Sequence, residues 1–136
     1  MVKLWAEKEV RNLKRLSLVN AIKCPVPHIF KNNVILMDFI GENGNAAPRL
    51  KDASVENWQD AYEQTLLAIR RMFQQAKLVH ADLSEYNLLW YNNFIYVIDV
   101  SQAVELDHPM ALDFLRRDCS IMNDFFSKKN LRVLTI

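Results

Sequence analysis

Glycine and proline are scarce. Two glycines and four prolines in 136 residues leave no linker, low-complexity tract or internal domain boundary. Cysteine is also rare. Cys24 and Cys119 form no Cys-x-x-Cys pair and have no clustered histidine, which argues against zinc. Free thiols in a reducing compartment suit them better than a disulfide. Neither sign of charge prevails: 17 basic and 16 acidic side chains give a net charge of +1. Nothing therefore draws the chain as a whole toward nucleic acid, and no direct sequence-specific contact with it is expected. No apolar run is long enough to span a bilayer, and Met1-Val-Lys-Leu-Trp5 opens a helical pattern and not a signal-type segment. The expectation is an intracellular chain without a membrane segment, in the cytoplasm, with the nucleus as the alternative.

What is present is 51% hydrophobic, enough for one globular unit and not two. Residues 2–16 read as a helix, with Val2, Trp5, Ala6, Glu9, Leu13 and Leu16 along or near one face and Lys3, Lys8, Arg11 and Lys14 outside it. A connector with two prolines runs from Asn20 to Pro27. Two strands follow, His28–Phe30 and Val34–Ile40, joined at Lys31–Asn33. The second is so apolar that a central position is expected. Gly41–Gly44 then reads as a flexible polar loop. From a Ser54 N-cap to Ala76 the spacing predicts an amphipathic helix with Trp58, Tyr62, Leu66, Ile69, Met72 and Phe73 inward. A last helix is expected from His108-Pro109 to about Ser127, with Met110, Phe114, Leu115, Ile121, Met122 and Phe125 as its apolar side. Leu131–Ile136 begins a further element.

The chemistry concentrates between Leu78 and Asp99. His80-Ala81-Asp82-Leu83 leads to Asn87, an apolar hairpin turns at Asn92-Asn93, and its second strand ends in Asp99. A carboxylate, a carboxamide and a second carboxylate in this order match the arrangement of protein kinases, where H-x-D-L-x-x-x-N supplies a base and a metal ligand. Mg²⁺ takes hard oxygens in octahedral geometry, one or two of them from protein. A metal-free carboxylate can orient the attacking hydroxyl and take its proton. The spacing alone is weak, since a polar loop capping a hairpin would look similar.

The full string His80-Ala81-Asp82-Leu83-Ser84-Glu85-Tyr86-Asn87, with Ile98-Asp99-Val100-Ser101-Gln102 after it, is more telling. It closely resembles the RIO family of atypical serine/threonine protein kinases, in the branch carrying HADLSEYN and IDVSQ. The resemblance runs from Trp5-Ala-Glu-Lys-Glu9 to Asp118-Cys119 and Asp124-Phe125-Phe126. It implies an α+β, protein-kinase-like fold in a single partial domain. Residues 1–40 would be an N-lobe remnant with helix αC, two to three strands and the hinge; 41–136 would be C-lobe. It further implies ATP and Mg²⁺ as cofactors. Asp82 becomes the catalytic carboxylate, Asn87 and Asp99 the metal ligands, and Asp99 a position able to accept phosphate as an acyl-phosphate. Met37 would be the gatekeeper, Asp38 and Ile40 the adenine contacts, and Leu89 and Ile98 the apolar walls. Glu9, with Glu7 as runner-up, takes the place of the αC glutamate. His80 would brace the loop. Maturation of the small ribosomal subunit is the implied setting, with a pre-ribosomal particle as partner; the protein substrate stays open.

Departures matter as much. Ser84 stands where Ser/Thr kinases usually carry lysine, so a hydroxyl would meet phosphate or metal instead. Asp99-Val100-Ser101 replaces Asp-Phe-Gly, and the next helix follows so soon that no activation loop fits. Upstream there is no Gly-rich loop and no Val-Ala-Ile-Lys strand, so Glu9 has no lysine partner. Comparable electrostatic contacts are worth about 2.7–4 kcal/mol each, and the expectation is a truncated domain, weakly active or inactive alone, with residues 28–40 left partly uncovered. The competing reading is a non-catalytic interaction module on a kinase fold; a metal-dependent phosphohydrolase of unrelated fold fits the hairpin poorly.

Overall fold

A computed structural model describes residues 2–19, 22–32 and 34–134, with side chains from Trp5 onward. The side chains of Val2 and Lys3 in the expected first helix, Asn20 of the connector, Asn33 of the turn, and Thr135 and Ile136 therefore lie outside the described part of the molecule. Helix α1 (Val2–Ser17) ends in Lys14 and Arg15, cations at the negative end of the helix dipole. Val10, Leu13 and Leu16 are buried, as their spacing requires. Trp5, expected on that stripe, is 62% exposed, one turn before the helix meets the core.

Strands β1 (Pro27–Lys31) and β2 (Val34–Met37) form an antiparallel hairpin packed on α1. The expected central position of β2 is not observed: among the described residues it pairs with β1 alone. One face, with Ile35 and Met37, is partly covered, whereas Ile29, Val34 and Leu36 lie open. The apolar content of β2 thus serves two faces, of which the described residues cover one. The strand also stops at Met37, before the expected Ile40.

The expected loop at Gly41–Gly44 is instead a two-residue hairpin, β3 (Gly41–Glu42) against β4 (Asn45–Ala46). Asn43 (φ 53°) and Gly44 (φ 78°) form its left-handed turn. A Cβ at Gly41 would collide with the Asn45 carbonyl oxygen, so the close strand approach needs glycine there.

Helix α2 (Trp58–Arg71) begins later than Ser54. The cap is Asn57, whose side-chain oxygen accepts the Asp60 N–H at 3.1 Å. A π-turn, Met72–Ala76, continues it until Lys77 at φ 61° ends the run. Helix α3 (Ala111–Ser127) also starts later than expected. His108 Nδ1 accepts the Met110 N–H at 3.0 Å, holding His108-Pro109-Met110 as a turn before the helix, and Met110 is exposed. Leu131–Leu134 has no regular secondary structure, and the rest of the expected further element lies outside the described residues. Tyr62, Ile69 and Met72 of α2 and its π-turn pack on Met122, Phe125 and Phe126 of α3 in one core. Rings meet at steep angles there: Trp58 and Phe125 at 5.8 Å, Tyr62 and Phe126 at 5.1 Å. Both cysteines are free, and no described helix is long and apolar enough to cross a membrane.

Phe126, fully buried at the centre of that cluster, should cost about 3–5 kcal/mol on truncation to alanine. Trp5→Ala, at an open position, should change stability by less than about 0.5 kcal/mol. Urea titrations at matched slope would compare them, and equal midpoints would show that this aromatic cluster is not the centre of the core.

Candidate active site

The segment after α2 rises through β5 (Leu78–Val79), which pairs antiparallel with β8 (Val104–Glu105). Between these two in sequence lies the hairpin of β6 (Leu88–Tyr91) and β7 (Phe94–Val97). Its turn residues Asn92 and Asn93 both have positive φ, 51° and 64°, the backbone a two-residue hairpin demands. Leu88 pairs with Val97, and one step beyond, the Ile98 N–H donates to the Asn87 carbonyl at 3.1 Å. Asn87 and Asp99 are thereby brought to the same open end of the hairpin.

Asp82 joins them through Asn87, whose side-chain NH₂ donates to the Asp82 carbonyl at 2.7 Å and, at 3.4 Å, to its carboxylate. That orientation leaves the Asn87 Oδ1 as the free acceptor. His80 is 2% exposed and ties the loop to the end of β7: its Nε2–H donates to the Ile98 carbonyl at 2.9 Å, and its Nδ1 accepts the Asp82 N–H at 3.2 Å. Since a carbonyl only accepts and an amide N–H only donates, the ring proton sits on Nε2. Asp82 itself is exposed, as a group meeting substrate must be. Ser84 Oγ accepts the Tyr86 N–H at 3.2 Å, which shapes the loop and leaves the hydroxyl proton to donate. Asp99 has φ 56° and accepts a long bond, 3.4 Å, from Ser101 Oγ.

Beneath the loop lies a residue to which the motif assigned no role. Asp118 of α3, 2% exposed, accepts the Ala81 N–H at 2.9 Å and the Leu83 N–H at 3.2 Å. Burial raises its carboxyl pKa, and these two amides pull it back. Arg117 donates to the Ala81 carbonyl at 2.6 Å. Asn12 of α1 is a second such residue; it is buried and donates to the Val100 carbonyl at 2.8 Å. Both had a legible signal. Asp118 lies at helical spacing from Leu115, Met122 and Phe125, and Asn12 from Leu16, so each is a polar residue on an apolar face.

Glu9, and not the exposed Glu7, is the α1 carboxylate that reaches the site. Burial pushes its pKa up to about 7, the nearby Asp99 charge adds to this, and the Val100 and Ser101 amides oppose it. Its Oε2 is buried without a hydrogen-bond partner. At the exit of β2, Asp38 donates its N–H to the Val26 carbonyl at 3.0 Å and the Ile40 carbonyl accepts the Ala47 N–H at 2.9 Å. The Asp38 C=O and Ile40 N–H remain without a backbone partner among the described residues. The Asp38 carboxylate is turned back onto His28 Nε2 at 2.6 Å, the bond that chiefly holds it below the usual carboxylate range. Met37, Leu89 and Ile98 are half-buried, so each keeps apolar surface to offer.

The oxygen donors suit a magnesium ion. Asn87 Oδ1 and the Asp99 carboxylate are hard and few, as fits an ion that completes its shell with phosphate and water. Among the described residues no three His, Cys, Asp or Glu side chains converge as a protein-only metal cage.

A loop braced from below by a buried carboxylate, opposite a strand-end aspartate and beside a helix that contributes a glutamate, belongs to the protein-kinase-like fold. The Rio2 kinase–ADP/Mg²⁺–phosphoaspartate complex of Chaetomium thermophilum superposes with a TM-score of 0.80 at 25% identity, over 99% of this chain and 41% of that one. The RIO domain model matches residues 1–136, and the chain belongs to that family. It is 54% identical to the serine/threonine-protein kinase rio1 of Dictyostelium discoideum and 49% identical to the human serine/threonine-protein kinase RIO1, each over its whole length. It spans 24% of the length of either relative.

Glu9 gives the site a pH signature. Its carboxyl titrates near 4.5 when unfolded and at about 7 when folded, so between these values the native state binds more protons and stability falls as pH rises. In Glu9→Gln that loss is absent. Melting curves from about pH 4.5 to 7 should show the variant gaining on the parent chain; parallel curves would place Glu9 in ordinary solvent.

Proposed function

We propose that this chain carries the catalytic half of an atypical serine/threonine kinase/ATPase that uses ATP with Mg²⁺. The observation that carries the reading is the Asn87 amide: its NH₂ is spent on Asp82, its backbone carbonyl on Ile98, and its Oδ1 is left at the hairpin end that also bears Asp99. Asn87 and Asp99 would hold the ion, which when bound neutralises charge on the phosphates. Asp38 C=O and Ile40 N–H would hydrogen-bond the adenine edge, with Met37, Leu89 and Ile98 as apolar walls and Ser84 donating to phosphate. The acceptor hydroxyl oxygen bonds to the γ-phosphorus, the bond from that phosphorus to the β–γ bridging oxygen breaks, ADP leaves, and the hydroxyl proton passes to Asp82. The Rio2 complex is one with ADP, Mg²⁺ and phosphoaspartate; Asp99 is our candidate for the phosphorylated position here, with water then discharging the phosphoryl group. A pre-ribosomal small-subunit particle in the cytoplasm or nucleus is the setting that we assign to it.

The unpartnered Glu9 Oε2 supports a second reading. No lysine pairs with it among the described residues, an arrangement that suits a docking module better than a fast enzyme. We expect ATP turnover by these 136 residues to be slow or nil. Extension upstream with a lysine-bearing strand should restore it, and Asp82→Asn should abolish the restored activity. Equal turnover with and without the extension would contradict this.

The site itself is tested more directly with Mn²⁺ in place of Mg²⁺. With ADP present, the paramagnetic ion should broaden the amide NMR signals of Asn87 and Asp99 first, and Asp99→Asn should remove the effect. Broadening that ignores the substitution, or that centres elsewhere, would refute the assignment.

A further inference from the structure

Beside Asp82, away from the hairpin, lies an open depression of about 630 Å³. Its walls include Lys8 of α1, Val104 of β8, His108, and Phe114 and Arg117 of α3, with Asp82 at its edge. Neither Asn87 nor Asp99 lines it. Asp82 is therefore shared by two spaces: on one side the metal-binding pair, on the other this depression. Space of this kind stands beside the short Asp99–His108 connection, which is too short for an activation loop.

The charge of the depression is lopsided. Among the described residues Asp82 is its only carboxylate, against Lys8 and Arg117. Arg117 is held in place: one nitrogen donates to the Ala81 carbonyl at 2.6 Å, and the guanidinium lies 4.9 Å from the centre of the Phe114 ring. Its remaining N–H groups present a fixed fork, the geometry that carboxylates fit. Lys8 is exposed and has neither an ion pair nor a hydrogen bond within the described residues. The adjoining depression carries Glu105 and Asp107 beside Arg11, but Glu105 is neutralised by Arg15 at 2.5 Å.

We infer that this depression is the acceptor-side docking cleft and that it takes an acidic peptide segment, a serine or threonine with Asp or Glu close by in sequence. The hydroxyl is placed at Asp82 and the neighbouring carboxylate at Arg117 and Lys8, which fixes the direction in which the segment lies. This rests on the kinase reading above, yet it is tested without nucleotide.

The experiment titrates the ¹⁵N-labelled 136-residue chain with three peptides of equal length, their single serine flanked by glutamates, alanines or lysines. The glutamate peptide should bind about tenfold more tightly than the lysine peptide, shifting the amides of Gln102, Ala103, Val104 and Arg117. Lys8→Glu should weaken it by about fivefold or more, and Lys8→Met by less; an exposed, unpaired lysine can be changed without loss of the fold. Equal affinity for all three peptides, shifts centred outside the depression, no binding, or indifference to Lys8→Glu would each overturn the inference. The two readings fail separately: Mn²⁺·ADP located at Asn87 and Asp99 without a peptide charge preference removes only the cleft. An acidic preference without nucleotide localisation removes the kinase reading and leaves an acidic-segment binding module.

Discussion

Ala81 sits at φ 71°, and the rest of the site depends on its staying there. A left-handed backbone costs a residue with a Cβ about 1–2 kcal/mol. Here the conformation is over-determined. Asp118 takes the Ala81 N–H, Arg117 gives to its carbonyl, Asp118 takes the Leu83 N–H, and His80 takes the Asp82 N–H between them. The kink turns Asp82 outward while Leu83 enters the core. Without it the loop would continue as an ordinary strand, and the carboxylate would have no fixed station. A buried carboxylate is costly unless hydrogen-bonded, so Asp118 also needs the loop amides as much as they need it.

The second constraint is arithmetic. Four residues of β6, two of turn and four of β7 separate Asn87 from Ile98, so a tight hairpin returns the chain beside its own starting point. Asn92 and Asn93 make that turn because asparagine tolerates positive φ better than most residues with a side chain. His80 then links the first arm of the site to the second through Ile98. Three residues separated in sequence are thereby collected by local geometry and one imidazole.

What could be read from the sequence was the local part. The His80–Asn87 string, the hairpin and the two amphipathic helices are short-range patterns, and each appears where spacing placed it, with boundaries shifted by a few residues. The start of α2 moves to Asn57 because Asn and Ser are both good caps and only the observed Asp60 bond distinguishes them. The position of β2 differs from expectation because apolar content records how much surface a strand can bury, not what covers it. Asp118 and Asn12 stood out as polar residues on apolar faces, but their roles were not readable for a different reason: their partners lie 35 to 88 positions away. Only the assembled fold gives those polar groups a purpose.

Helix α1 is fastened to the body of the molecule at two levels. Asn12 reaches the Val100 carbonyl from within the core, and one turn later Arg15 grips the carbonyl of Ala76 at 2.8 Å together with Glu105. In many protein kinases the corresponding helix swings outward to switch the enzyme off. Here such a swing would strand a buried carbonyl and amide, at about 1–3 kcal/mol for each unmade bond, besides baring Leu13 and Leu16. A domain hinged so stiffly has little posture to change.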